Sequence, residues 1–446
     1  MADWPEDEKF DVIALGTGFK ECLLSGLLSV AGKKVLHIDR NDFYGAECAS
    51  LNITQFFQKF FGKEPPKELG PNRDWNIDLI PKFIMADGLL VKTLIHTKVN
   101  ESLNFQLIAG SYVYKDKKVD KVPSTTAEAL STSLVGFMEK RRLKNFLEAV
   151  NDYVEHPENK KYAKIKSQKA GDYMKEAGLD PSTMTFIGHA MALEPDDTYL
   201  DRPAQELIDK MTLYGNSLYK FKDQNSPYLY PMYGLGDLPQ AFARLCAVWG
   251  GTYMLSKPVD EILMEGNKAT GIRSGEHQAK APIIIGDPSY FQHINGKTKK
   301  VGQIVRAICL IHHPITSIPK KYQNDSANII IPQTEVGRKH DIYVCYTSYQ
   351  QRVCPEGWYV ALVSTSVETQ NPEAELKPGL DLLGKVEYKA VSVSDVYEPV
   401  IPGKEDNIYC SSSYDPTTHF ESTIAEVLEL YQQIMGEPVN FEKDKK

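Results

Sequence analysis

Residues able to hold a nucleotide stand at the start of the chain. Gly16-Thr17-Gly18 follows Phe10-Asp11-Val12-Ile13-Ala14-Leu15, an apolar run too short for a helix that reads as a buried parallel strand. Phe19 to Val30 then reads as a helix with Leu23, Leu24, Leu27 and Leu28 on its apolar face. Lys34-Val35-Leu36-His37-Ile38-Asp39 reads as a second strand ending in an acid. In a dinucleotide-binding βαβ unit the first glycine makes the turn, the second lets backbone approach a pyrophosphate, and the acid meets a ribose hydroxyl. A third glycine belongs three residues after Gly18, and that position holds Glu21. A bulky anion where helix, strand and phosphate crowd together opposes a bound dinucleotide. The turn predicts the fold of a cofactor domain without its cofactor.

Other chemistry is sparse. There is no Gly-x-Ser-x-Gly nucleophile elbow. Gly296-Lys297-Thr298 resembles the end of a phosphate-binding loop, but the first glycine of that loop falls on Phe291. His312-His313, read as part of a strand, alternate between faces and do not chelate one metal together. His189 and His419 lack metal-ligand spacing to other histidines, cysteines or carboxylates. Neither a catalytic constellation nor a metal site is expected.

The 446 residues suggest roughly two or three domains. With 42% hydrophobic and 25% charged residues the composition is that of an ordinary globular chain. A net charge of -8 argues against an overall electrostatic footprint for nucleic acid. The amino terminus is acidic and lacks the basic start and apolar centre of a signal peptide. No apolar run approaches the length of a membrane span. Seven scattered cysteines without a Cys-x-x-Cys pair imply neither zinc nor a disulfide framework. The chain reads as a reduced, cytosolic protein.

The elements that must position these residues follow from periodicity. Arg40 to Glu47 is a polar loop with Tyr44 at its tip, and Thr54 to Phe61 is a short Phe-rich helix. Phe105 to Val122 alternates like a meander of strands, with Lys115-Asp116-Lys117 as a turn. From about Pro123 to about Lys222 the texture is helical, opening with capping-box spacing between Thr125 and Glu128. Asp237 is placed as the N-cap of a helix running to Trp249. Val259 to Ile285 reads as a β-meander, followed by strands at Ile304 to Ile311, Ile329 to Ile331, Ile342 to Tyr346 and Trp358 to Val363. A closing helix runs from about Glu421 to Met435. The expected fold class is α/β, with residues 1–122 and 223–446 forming one domain and 123–222 a smaller all-helical one.

The most specific stretches resemble one family. They are Leu15-Gly16-Thr17-Gly18 with Glu21-Cys22, Asp39-Arg40-Asn41 with Tyr44-Gly45, and Arg73-Asp74-Trp75-Asn76 with Asp78-Leu79-Ile80-Pro81-Lys82-Phe83. Ser226 to Pro231, Tyr233-Gly234-Leu235-Gly236, Gly250 to Leu255 and Thr417-Thr418-His419-Phe420-Glu421 continue the pattern. End to end the chain resembles the Rab GDP-dissociation inhibitors, which share a flavoprotein-like fold with the Rab escort proteins.

The resemblance implies a non-enzymatic regulator that binds GDP-bound, doubly geranylgeranylated Rab GTPases. It implies slowed GDP release, extraction from membranes and return through the cytosol in vesicle-mediated transport, by a monomer in a 1:1 complex that meets membranes transiently through its cargo. Carried over by motif, the Rab-binding platform is Tyr44, Arg73, Asp237, Gln240, Arg244, Thr252 and Met254. The family has glutamate where this chain has Asp237, which keeps the charge and shortens its reach. Ser217 to Pro227, with Lys220 and Lys222, corresponds to a mobile effector loop. Tyr230 and the strands from Phe105 to Val113 correspond to the region that holds the Rab carboxy-terminal tail. Prenyl chains are expected in the helical part, at Leu134, Phe137, Met138, Phe146, Ile187 and Ala190. A Rab escort protein is the nearest alternative, although escort proteins carry an insertion that this chain lacks. A flavin-dependent oxidoreductase is the competing class; Asp39 favours it and Glu21 opposes it.

Overall fold

The computed structural model describes residues 4–5, 8–132, 134–222, 224–294, 296–322 and 325–441. Five parallel strands form one sheet in the order Thr252–Met254, Val35–Ile38, Val12–Leu15, Ile284–Gly286 and Ile408–Cys410. A parallel sheet is covered on both faces, which is why its strands are continuous apolar runs. Side-chain alternation divides them between two cores. Val12, Ala14 and Val35 lie in the core shared with the helices Phe19–Val30, Asp237–Val248 and Glu421–Met435. Ile13, Leu15, Leu36 and Ile38 pack on the antiparallel meander Glu261–Glu265, Lys268–Ser274 and His277–Lys280. The Phe19–Val30 helix is buried from Phe19 to Ser29 between the sheet and its partner helices.

A second, mixed sheet has seven strands in the order Tyr388–Pro399, Thr298–Ile311, Tyr359–Ser366, Ile342–Ser348, Ala327–Ile331, Gly110–Lys115 and Lys118–Lys121. Its strands are antiparallel except for Ala327–Ile331 beside Gly110–Lys115. Between Thr126 and Leu218 every described element is helical, chiefly Phe137–Glu155, Ala170–Glu176, the Pro181–Thr185 helix with its π-helical continuation Phe186–Met191, and Ala204–Leu218. At the π turn Gly188 lets Tyr199 approach, since a Cβ there would overlap the Tyr199 ring. Among the described residues no helix is long and apolar enough to cross a membrane.

Several local expectations need correction. The meander foreseen over Phe105 to Val122 is divided between two sheets. Phe105–Leu107 pairs with Tyr228–Pro231, whereas Gly110–Lys115 and Lys118–Lys121 form the hairpin at the edge of the large sheet. The chain changes sheet at Ile108 and Ala109, whose backbone is held by Ser226 Oγ (2.7 Å) and Ser326 Oγ (2.9 Å). Asp237 is the first helical residue, not the cap; Gly236 takes that position because external hydrogen bonds already fix the turn before it. Thr125 accepts from the Glu128 amide, but the Glu128 carboxylate returns to Ser124 (2.9 Å) and Lys121 (2.6 Å), so the capping box is one residue out of register. His312 and His313 lie beyond the strand, which ends at Ile311. Lys297 is buried and its ammonium is spent on Asp406 (2.8 Å) and the Ile408 carbonyl (2.6 Å).

Candidate functional site

At the glycine turn the polar groups that would meet a dinucleotide are already engaged. Gly16 turns at φ +88, and a Cβ on it would stand 3.0 Å from both Asp287 Oδ2 and the Tyr290 ring. Asp39 Oδ2 accepts from the Thr17 amide (2.6 Å) and hydroxyl (2.5 Å); Oδ1 accepts from the Asn41 amide (2.8 Å) and side chain (2.9 Å). Each oxygen of the acid expected at a ribose thus holds two donors. Glu21 is buried against Gly18, with its Oε2 2.5 Å from where a Gly18 Cβ would be, and Ser411 Oγ donates to its Oε1 at 2.8 Å. Burial first, then the charge of Asp287, pushes the Glu21 carboxyl up to about 8. Arg40 lies 3.8 Å from the centre of the Tyr290 ring and closes the outer side. A pyrophosphate needs free amides and an electropositive crook. Two acids, a tyrosine and a saturated Asp39 do not fit that group.

The same turn holds the next loop. The Gly45 amide donates to the Thr17 carbonyl (2.9 Å), and Gly18 and Gly45 form an isolated parallel bridge. Gly45, at φ +101, tolerates a geometry that strains other residues. His37 donates from Nε2 to the Gly16 carbonyl (2.6 Å) and stacks on Tyr253 at 4.4 Å; burial lowers its imidazole to about 4, so it is neutral. Tyr253 in turn lies 6.0 Å from Tyr44. A continuous set of contacts therefore runs from the glycine turn to a half-buried tyrosine at the surface.

Tyr44 and Thr252 come together through Tyr253, which lies beside Thr252 on the edge strand. Asp237, Gln240 and Arg244 recur at helical spacing on one face of Asp237–Val248, with Gln240 and Arg244 exposed. Asp78 joins the two groups: its Oδ1 accepts from Ser50 Oγ (2.5 Å) and the Leu235 amide (2.9 Å), while Ser50 Oγ accepts from the Gly236 amide (2.8 Å). Met254 is buried in the core beneath the edge strand, so its side chain is not presented. Arg73 is exposed on a separate turn, Asn72–Asp74, which Asn72 holds to the Thr54 amide at 3.1 Å. Sequence reasoning passed over four exposed apolar side chains near these elements: Phe43, Tyr233, Val248 and Trp249. Spacing marks only Val248, one turn after Arg244.

A model of the GDP dissociation inhibitor family matches residues 6–446. The chain belongs to that family. A probable secretory pathway GDP dissociation inhibitor of Schizosaccharomyces pombe is 52% identical over 433 residues, covering 96% of this chain and 97% of its own. Guanosine nucleotide diphosphate dissociation inhibitor 2 of Arabidopsis thaliana is 48% identical across 98% of each chain. A solved Rab GDI from Plasmodium falciparum matches with a TM-score of 0.91 and 42% identity, covering 97% of this chain and 99% of that one. An oxidoreductase from Methanosarcina mazei matches at a TM-score of 0.60 and 16% identity, a likeness of fold alone.

The other residues expected to act in this family member are less concentrated. Lys220 pairs with Asp87 at 2.6 Å and Lys222 is exposed, while Asp223, in the same expected loop, lies outside the described residues. Ser217, expected to open the loop, is buried in the last turn of the Ala204–Leu218 helix, where its hydroxyl accepts from the Asp87 amide (3.0 Å). Tyr230 is buried and its hydroxyl donates to Asp78. Phe105 is half-buried beside it in the same small sheet. Leu134, Phe146, Ile187 and Ala190 all lie in one core, whereas Phe137 and Met138 are 88% and 65% exposed at the start of Phe137–Glu155. A cavity of about 250 Å³, lined by Val113, Leu134, Pro181 and Phe186 among others, lies where the helical part meets the large sheet. It brings a tail-region residue, Val113, together with an expected prenyl residue, Leu134.

Proposed function

We propose that the chain binds GDP-bound, geranylgeranylated Rab GTPases, slows their GDP release, extracts them from membranes and carries them through the cytosol, without turnover of its own. The observation that carries this reading is the Gly18–Gly45 bridge: the turn that would cradle a phosphate instead mounts the loop bearing Tyr44. Membership of the GDP dissociation inhibitor family supports it, as do the names of its relatives. The GTPase would dock on Tyr44, Asp237, Gln240, Arg244 and Thr252, with Arg73 at the margin and Met254 supporting the strand from beneath. Lys220 and Lys222 would act in the mobile effector loop, and Phe105, with the strands that carry Val113 and Tyr230, would frame the tail. Leu134, Phe146, Ile187 and Ala190 would wall the lipid groove once the helices part.

The energetics call for both surfaces. At ~0.8 kcal/mol per buried CH₂, two C20 chains represent on the order of 30 kcal/mol as an upper bound, and stable anchoring takes two lipid signals. A carrier offsets that by adding a protein interface to an apolar groove. Slowed GDP release is then a population effect, because a partner that prefers the GDP-bound conformation stabilises it. Tyr44→Ala and Arg244→Ala are expected each to weaken extraction of a prenylated, GDP-bound Rab from liposomes. Wild-type extraction by both variants would mean the docking face lies elsewhere. An absorbance spectrum of the purified protein tests the oxidoreductase alternative: stoichiometric flavin bands would sink the carrier reading.

A further inference from the structure

Asp78 lies at the end of the two-residue strand Ile77–Asp78, buried beneath the proposed docking face. Its three donors come from three different segments. Ser50 closes the loop that carries Tyr44; Leu235 leads into the helix that carries Asp237, Gln240 and Arg244; Tyr230 belongs to the strand proposed to frame the tail. The Gly236 amide, bound to Ser50 Oγ, closes the ring. The approach leaves no room for side chains. A Cβ on Gly234, at φ +94, would stand 2.7 Å from Ser50 Oγ and 3.0 Å from Asp78 Oδ1; one on Gly236 would stand 2.8 Å from Ser50 Oγ. This crowding gives the physical reason for glycine at both positions of Gly234-Leu235-Gly236.

We propose that Asp78 is a positioning residue for the GTPase-docking face, holding the Tyr44 loop against the start of the Asp237–Val248 helix only while its carboxylate is ionised. The inference rests on the reading of that face as Rab-binding. Asp78 itself touches no partner. Its hydrogen-bonding neighbours are all donors, so an ionised carboxylate accepts from all three, whereas a carboxylic acid would bring a fourth donor into the ring. Ser50 Oγ already accepts from Gly236, so the added proton forces either Ser50 or Tyr230 to turn and give up its own donation. The titratable groups facing Asp78 are Asp237 from the helix, Tyr230 from its strand and Cys345 from the large sheet. Burial first, then the charge of Asp237, lifts the Asp78 carboxyl to about 6 against the three hydrogen bonds that hold it down. Mild acidity is therefore enough to loosen the face.

The test compares wild type, Asp78→Asn and Ser50→Ala as full chains. Each is titrated with a GDP-loaded, doubly geranylgeranylated Rab and, separately, with a geranylgeranyl-cysteine ester. Losing hydrogen bonds to a buried charge predicts roughly tenfold weaker Rab binding for Asp78→Asn and a smaller loss for Ser50→Ala, with affinity for the lipid ester unchanged in both. Ser50→Ala keeps the carboxylate and serves if Asp78→Asn fails to fold. The ratio of wild-type to Asp78→Asn affinity is expected to fall toward one between about pH 7.5 and about pH 5.5, because the partner's own titrations cancel in the ratio. Three outcomes overturn the inference: variants that bind Rab like wild type, equal losses for Rab and lipid ester, or a ratio flat with pH. If wild type binds the lipid ester but no Rab, the Rab-binding reading of the face fails, and the inference falls with it for that separate reason.

Discussion

The glycine turn and the junction between the helical part and the large sheet both bury ionisable side chains, and they settle the charge in opposite ways. At the turn, Glu21 carries a carboxyl pushed up to about 8, so at neutral pH it is mainly a neutral hydrogen-bonding group facing Ser411. At the junction, His189 sits on the π turn Phe186–Met191 with Nδ1 on Asp341 (2.6 Å) and Nε2 on Asp197 (3.1 Å). Burial opposes its charge, but the hydrogen bonds to Asp197 and Asp341 prevail and hold the imidazole up at about 9. Gln333 completes the clamp by donating its amide to Asp341 (2.8 Å) and its side chain to Asp197 (2.7 Å). A space that only has to be filled tolerates a group that gives up its charge. A joint between two bodies of structure draws its geometry from a pair that keeps one.

The largest effect is expected at the joint. His189→Ala strips Asp341 of its imidazolium, and removing one partner of a buried pair costs about 3–5 kcal/mol, to be read by chemical denaturation. The pH dependence carries a definite sign. The folded pKa lies above the ordinary 6.5, so the stability His189 contributes is full below about pH 6.5 and is lost as pH rises through about 9. The variant lacks that alkaline loss; an identical alkaline profile would mean that His189 is not charged. At the turn, Glu21→Gln is expected to match wild type below about pH 4.5, where the carboxyl is neutral in the folded and the unfolded chain, and to be the more stable of the two at neutral pH. Wild type loses what Glu21 contributes as pH rises from about 4.5 through about 8, and the glutamine variant stays level across that window. A variant that is instead strongly destabilised at neutral pH would place a required charge at Glu21 and erase the contrast. The smallest effect belongs to Phe137→Ser and Met138→Ser. Both side chains already face water, so unfolding free energies are expected within about 0.5 kcal/mol of wild type. Lower affinity for a geranylgeranyl ester without loss of stability would tie these residues to lipid capture.

The parts of the fold that the sequence made legible are those whose patterns are decided locally. Phe19–Val30 and Glu421–Met435 carry apolar stripes over many residues, and both occupy the spans expected of them. The strand Tyr388–Pro399 was not foreseen: it is a sheet edge, and its only buried side chain is Ala390. The site divides in the same way. Glu21 could be seen to disagree with a cofactor, because its position in the turn is fixed by counting from Gly18. Its bond to Ser411 could not, because 390 residues separate the two. Asp78 was visible only as one letter in a longer motif, since its donors come from residues 50, 230 and 235. Burial likewise keeps the side chains of Met254 and Tyr230 off the surface, which their motifs alone could not tell.

The bridge between Gly18 and Gly45 makes the present use of this fold hard to reverse. Restoring glycine at position 21 would remove one carboxylate, but Asp39 would still be saturated by Thr17 and Asn41. Asp287 and Tyr290 would still crowd Gly16, and the Tyr44 loop would still be seated on the turn. A dinucleotide could enter only after the loop had been unseated, which would dismantle the proposed docking face in the same step. A cofactor and the seated Tyr44 loop are thus mutually exclusive occupants of one turn. Several simultaneous substitutions separate them, and the fold behaves as a ratchet.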